Sequence, residues 1–169
     1  YPAFPYDAKG LLATAIEDPN PVLFFEHKGL YRSMYQEVPV NYYTLPFGKA
    51  SLLREGSSIA IVTYGAGVHN MEIQADLLDL RTLQPLDINA IYDSVKKTGK
   101  LIILQEDSLF GGIASDISAL VMENCFEYLD GPIQRVGSLE TPIPFDSKLE
   151  QQYLAKSRFE SALLELIAY

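Results

Sequence analysis

An α/β domain built on a mostly parallel sheet is the fold class this sequence predicts, and three observations predict it. Apolar runs of strand length recur after Ser58: "IAIVTYG" (59–65), "ADLLDLRTL" (75–83), "KLIILQE" (100–106) and "PIQRVG" (132–137). Segments of helical period lie between or after them, at 88–99, 112–126 and 157–168. The strand at 59–65 is apolar throughout rather than alternating, as befits a strand covered on both faces. Strands alternating with helices imply parallel pairing with right-handed crossovers.

The elements follow in order. Residues 7–18 predict a short helix with Leu11, Leu12, Ala15 and Ile16 on one side, and "DPNP" (18–21) stops it, because proline cannot donate to the helix and restricts the residue before it. "VLFFE" (22–26) reads as a buried strand. Residues 27–57, punctuated by Pro39, Pro46 and Gly48, show little periodicity and read as a connector that packs through Tyr31, Tyr35, Tyr42, Tyr43 and Phe47. In 88–99, Ile88, Ile91, Tyr92 and Val95 share a face, Asp87 is placed to cap the start, Gly99 to end the helix, and Lys96 and Lys97 suit its last turn. The helix from about Gly112 buries Ile113, Ile117, Leu120 and Val121. In the last helix Ser157 and Glu160 have the spacing of a capping box, and Phe159, Leu163, Leu166 and Ile167 form the apolar stripe. One link is short. Only about nine residues join the strands at 59–65 and 75–83, against the ~10–12 that a parallel crossover needs. Either these two strands are not joined in the usual way or residues are missing between His69 and Glu72, and the second is the preferred reading.

Composition narrows the function. The chain has 169 residues, 48% of them hydrophobic, enough for one real core with some residues left over. A net charge of −9 argues against nucleic acid, which needs clustered Lys and Arg, and permits a basic protein partner. A single cysteine, Cys125, excludes an internal disulfide framework and a cysteine-built zinc site, and reads as a small buried hydrophobe. No apolar run reaches the ~20 residues of a membrane span. The opening "YPAFPYDAKG" lacks Met and begins mid-pattern, which predicts a piece of a longer protein.

Candidate sites are few. Gly111 and Gly112 sit between a strand and a helix, the layout of a phosphate cradle, but neither G-x-G-x-x-G nor G-x-x-x-x-G-K-[ST] is present, and Glu106 and Asp107 would repel an anion. Close packing of helix on strand is the alternative. "GAGVH" (65–69) lacks the third glycine. His27 and His69 are the two histidines, and no nucleophile is placed beside either by sequence. Arg81 stands at a strand's carboxyl end, where it would bind an anion or pair with Asp79 or Asp87. "AIEDPN" (15–20) offers helix-end carbonyls with Asp18 and Asn20, hard oxygens for a cation, in residues that also form turns.

Taken together, "FPYDAKGLLATAIEDPNPVLFFEHKGLYR", "DLRTLQPLDINAIYDSVKKTGKLIILQED", "GGIASDISALVMENCFEYLDGPIQRV" and "TPIPF" closely resemble the β subunit of thiamine-diphosphate-dependent 2-oxo acid dehydrogenases. The resemblance runs in order along nearly the whole chain; "FFEHKGLYR" and "EDSLFGG" lean towards the branched-chain (2-oxoisovalerate) type over the pyruvate type. It implies a three-layer α/β/α sandwich with a mostly parallel five-stranded sheet, the transketolase C-terminal domain, over 58–169. Residues 1–32 would be the end of a pyrimidine-binding domain and 33–57 a linker. It further implies that thiamine diphosphate and Mg2+ are held by an α subunit, that catalytic groups lie outside this chain, so that neither His27 nor His69 is catalytic, and that a structural K+ is held partly by the Ala15 carbonyl, Asp18 and Asn20. The implied partners are the α subunit, a second β subunit and the small basic subunit-binding domain of a dihydrolipoyl acyltransferase. The implied compartment is the bacterial cytoplasm or the mitochondrial matrix. In relatives a helix of roughly three turns stands where "GVHNMEIQ" is; its loss would leave one sheet face bare. Two rival readings are a stand-alone flavodoxin-like module that binds a small anion near Arg81 or the Gly111 turn, and a fragment of a 1-deoxyxylulose-5-phosphate synthase-like transketolase.

Overall fold

A computed structural model of the chain describes residues 1–69 and 74–169. The first helix, α1 (Pro5–Glu17), starts with proline in its first turn, where the missing N–H costs nothing, and buries Leu11 and Ala13 while Leu12 and Ile16 stay exposed. After a single turn, α2 (Leu30–Ser33), come β1 (Ser51–Arg54), β2 (Ala60–Thr63), a 3₁₀ turn over Gly65–Val68 and β3 (Asp76–Asp79). Then follow α3 (Ile88–Thr98), β4 (Leu101–Ser108), α4 (Ile113–Cys125), a second 3₁₀ turn, β5 (Gln134–Ser138), α5 (Ser147–Tyr153) and α6 (Lys156–Ile167).

The strands form one five-stranded sheet in the order β1-β3-β2-β4-β5. β2 pairs in parallel with β3 and with β4, and β4 with β5; β1 alone runs antiparallel, on the β3 edge. β2, β3 and the first half of β4 are buried on both faces, which is why their sequences read as unbroken runs. One face packs Ala60, Val62, Leu101 and Ile103 against Ile91 and Val95 of α3 and Ile117 and Val121 of α4. The opposite face packs Ile61, Ile102, Leu104 and Val136 against Phe159, Leu163 and Leu166 of α6. Each such fully buried aliphatic side chain contributes about 1.5–3 kcal/mol.

Several expectations need correction. Residues 22–26 are not a strand: Leu23 and Phe25 are exposed, and no described strand lies beside them to complete a ladder. The fifth strand is β1, inside the stretch that reads as a connector, and α5, capped by Asp146 through the amides of Lys148 and Leu149, is a further element. Asp87 does not cap α3 with its side chain; its Oδ2 accepts the Ala50 amide at 3.1 Å instead. The Ser157–Glu160 box does not form, because α6 begins one residue earlier and the Ser157 hydroxyl donates to the Leu154 carbonyl. Ile167 is exposed, and Ile113 and Leu120 are only partly buried. Gly99 does end α3 in the left-handed region, φ 72°, with its amide on Val95 at 2.9 Å. The β2–β3 pairing is parallel, and part of the short crossover, residues 70–73 within "GVHNMEIQ", lies outside the described residues. The sheet face in question is not bare at Ile61 and Leu77, both of which are buried.

Candidate functional site

The double-glycine corner is occupied by the protein itself. Gly111 makes the turn at φ 70° and Gly112 starts α4. The Gln105 side chain, 1% exposed, fills the space a bound phosphate would take. Its Oε1 accepts the Ala114 amide at 2.8 Å, and its Nε2 donates to the carbonyls of Asp107 and Ser108. A Cβ on Gly112 would stand 2.0 Å from Gln105 Nε2. Glycine is required there for close packing, not to admit a ligand. Gly112→Ala is therefore expected to lower the unfolding free energy by about 1–3 kcal/mol. A thermal melt checks this, and Gln105→Ala in the same chain should recover part of the loss by making room.

The histidines are similarly committed. His27 Nε2 lies 2.9 Å from Glu106 Oε1, and its Nδ1 accepts the Gly29 amide at 3.1 Å. A ring nitrogen that accepts carries no proton, so Nε2–H is the donor to Glu106 and neither nitrogen is free as a base. The other oxygen of Glu106 accepts the Tyr1 hydroxyl at 3.0 Å. That phenol is pushed above its usual range by burial and by the Glu106 charge. His69 Nε2 contacts the Ala3 carbonyl at 2.8 Å, and Phe4 stacks edge-on against its ring at 5.0 Å. Cys125 is fully buried and its thiol is pushed up by burial, as suits an inert core residue.

Arg81 pairs with neither residue expected of its guanidinium. Nη2 lies 2.8 Å from Oδ1 of Asp7 in α1, an ion pair without hydrogen-bond alignment. Only its backbone amide reaches Asp79, at 3.0 Å, and Asp87 is near Lys49 at 4.0 Å. Arg81 itself sits at φ 58°, in the left-handed region. Asp7 and Asp79 are 2% and 0% exposed, so Arg81 meets two buried carboxylates, Asp7 through its guanidinium and Asp79 through its backbone amide. Burial pushes the Asp79 carboxyl up to about 7, with the neighbouring Asp7 charge adding to it and the Arg81 amide opposing. Burial likewise raises Asp7, outweighing the attraction of Arg81.

At the end of α1, Asp18 Oδ1 accepts the backbone amide of Asn20 at 2.8 Å and its side-chain Nδ2 at 2.9 Å. Asp18 and Asn20 thus form an Asx turn beside the last-turn carbonyl of Ala15. Among the described residues no group of three or more His, Cys, Asp or Glu is arranged to hold a metal ion.

One concavity has no counterpart in the sequence reading. A cavity of about 700 Å³ opens at the carboxyl ends of β2, β4 and β5, between the sheet and α6. His27, Glu106, His69, Gln105 and Ser138 line its inner end, and α6 supplies one wall. These groups come together through contacts between residues 79 apart (His27–Glu106) and 32 apart (Ser138 to the Glu106 carbonyl), which leave no local trace in sequence.

The family model "Transketolase, C-terminal domain" matches residues 48–158. The 2-oxoisovalerate dehydrogenase subunit beta of Bacillus subtilis is 42% identical over 99% of this chain and 55% of its own length. The acetoin:2,6-dichlorophenolindophenol oxidoreductase subunit beta of that organism is 45% identical over 98% of this chain and 52% of its own. Its pyruvate dehydrogenase E1 component subunit beta is 45% identical over 90% and 50%. The chain thus spans about half the length of these relatives. A solved structure described as "Split gene transketolase, inactive beta4 tetramer" superposes with a TM-score of 0.62 at 23% identity, over 81% of this chain and 47% of its own, and so bears on the fold alone. The span matched by the family model, Gly48 to Arg158, takes in every strand of the described sheet, and this chain belongs to the transketolase C-terminal domain family.

Proposed function

We propose that this chain is the C-terminal part of the β subunit of a thiamine-diphosphate-dependent 2-oxo acid dehydrogenase. It serves subunit assembly and docking of the acyltransferase, and performs no catalysis alone. The observation that carries this is the collinear similarity, over nearly all of the chain, to β subunits of three related oxidising enzymes. In the complete enzyme the reaction is oxidative decarboxylation of a 2-oxo acid with acyl transfer to a lipoyl group, and 2-oxoisovalerate is the first substrate to test. Residues 1–32 are the end of a preceding pyrimidine-binding domain, 33–57 a linker that also lends β1 to the sheet, and 58–169 the supporting lobe.

The residues present do not fit a diphosphate with Mg2+. Gln105 fills the glycine-lined start of α4, and the two carboxylates Glu106 and Glu160 outnumber Lys156 among the charged acid and amine groups lining the cavity. The coenzyme therefore belongs with the α subunit. The Ala15 carbonyl, Asp18 and Asn20 supply three hard oxygens, a chemically apt but partial shell for a structural K+ that would need ligands from elsewhere. Exposed Leu23, Phe25, Tyr35, Val40 and Phe145 give apolar surface that an α subunit, a second β subunit and an acyltransferase would cover. The −9 charge suits the acyltransferase's basic subunit-binding domain. Either the bacterial cytoplasm or the mitochondrial matrix would house such a complex, and no described helix is long and apolar enough to cross a membrane.

A retention assay tests the reading. The chain should hold a basic subunit-binding domain at low salt, release it as salt rises, and show no heat with thiamine diphosphate. Decarboxylation of a 2-oxo acid by the chain alone would overturn it. Because His27 is bound at both nitrogens, His27→Gln is expected to lower stability by about 1–2 kcal/mol while changing kcat of the assembled enzyme less than threefold. A thousandfold loss in kcat would instead make His27 catalytic.

A further inference from the structure

The cavity lies where an open α/β sheet places its ligands. From β2 the chain turns to β3 on one side; from β4 it passes through α4 to β5 on the other. The crevice between the carboxyl ends of β2 and β4 is the point where the strand order reverses, and small molecules bind at such points. Its volume, about 700 Å³, is within the range of ligand sites. Its walls are largely aliphatic and aromatic, from Leu104, Leu154, Phe159 and Leu163.

What polar groups a ligand would meet follows by elimination. Gln105 spends both ends of its amide on the backbone of residues 107, 108 and 114. Glu106 uses one oxygen for His27 and the other for Tyr1, and the Ser138 hydroxyl donates to the Glu106 carbonyl. His27 has both nitrogens engaged, and His69 has one. What remains is the second ring nitrogen of His69 and two charged side chains, Lys156 and Glu160, both exposed. Among the described residues neither takes part in an ion pair. They stand one turn apart on the same side of α6, in the Lys-before-Glu order that favours pairing less. An apolar chamber with one cation and one anion at its entrance is complementary to an aliphatic body whose head carries both charges.

We propose that this cavity binds a free aliphatic α-amino acid, its side chain between Phe159, Leu163 and Leu104, its carboxylate on Lys156 and its ammonium on Glu160. The chemistry requires both charges on adjacent atoms of one small molecule. A 2-oxo acid of the same skeleton lacks the ammonium, and an amine lacks the carboxylate. The site is separate from the assembly role proposed above, and neither claim depends on the other.

Calorimetric titration of the full-length protein with L-leucine, 4-methyl-2-oxopentanoate and 3-methylbutylamine tests it. Leucine is expected to bind, and each analogue to bind roughly three- to tenfold more weakly, as befits single charge contacts at a partly open site. Lys156→Ala should weaken leucine by a similar factor and leave the amine unaffected. Glu160→Ala should weaken leucine and leave the oxo acid unaffected. Both positions are exposed, so the variants should keep the parent melting curve. Silence from leucine up to on the order of 10 mM, equal binding of all three compounds, or indifference of leucine binding to both substitutions would overturn the proposal. Retention of the subunit-binding domain is read in a separate assay, so failure here leaves the dehydrogenase reading standing.

Discussion

Arg81→Met is expected to destabilise the protein by about 3–5 kcal/mol near neutral pH, the largest effect of any single side-chain change considered. The methionine matches much of the arginine's volume, so the loss is electrostatic. It leaves the buried Asp7 carboxylate without its ion-pair partner and removes a nearby positive charge from Asp79. The ion pair is only 2.8 Å across and its carboxylate side is 3% exposed, so solvent screening discounts little of this. Burial holds both carboxyls above the ordinary aspartate value, Asp79 at about 7, so both take up protons as pH falls towards 4 and the difference between variant and parent should shrink. Denaturant unfolding at two pH values checks it. A variant that lost the same stability at pH 4 and pH 8 would place the role of Arg81 in its backbone conformation, φ 58°, and not in its charge.

Asp79→Asn should produce the second large effect, and with the opposite sign. The folded-state value for Asp79 is raised to about 7 from 3.8. Between those values the folded protein holds a proton that the unfolded chain has released. Stability is therefore highest below about pH 4, falls as pH rises towards 7, and is level above that. Asparagine keeps an oxygen for the Arg81 amide and cannot ionise. The variant should be more stable than the parent at pH 8, by up to roughly 4 kcal/mol before relaxation around the site is allowed for. Its stability should also be flatter between pH 4 and 7. Melting temperatures across that range, with an unchanged slope, would show that Asp79 is not the buried proton carrier.

Much of the fold is legible in the sequence because burial on both faces writes itself locally. The run Ile59–Tyr64 and the run Leu101–Leu104 carry no polar interruption except Thr63, and both are central strands. α3 is legible for a complementary reason: Ile91 and Val95 repeat at helical spacing and Gly99 stops the helix where a left-handed residue is needed. β1 is not legible, because "SLLR" is four residues with no alternation, and only the neighbouring strand makes it one. α5 did leave a signal in Asp146, followed by Lys148, Leu149, Glu150 and Gln151, all good helix formers. The candidate sites were less legible than the fold. Arg81 stood out by type and position, but its true partner is Asp7, in another element and far away in sequence. Gln105 looks like any strand glutamine, and only the structure shows it sealing the glycine corner. The cavity mouth is a pair of ordinary surface charges until α6 is set beside the sheet.

The short antiparallel strand on the β3 side has a consequence for anyone who trims this molecule. Its ladder with β3 breaks register between Leu52 and Arg54, an irregularity that makes a poor template for strand addition by another chain. Beneath it, β3 is buried from end to end. A version begun at Ser58 would strip that cover and present a row of open amides and carbonyls flanked by Leu77 and Leu78. Such a version should precipitate or form ladders of like copies more readily than the chain that keeps residues 1–57.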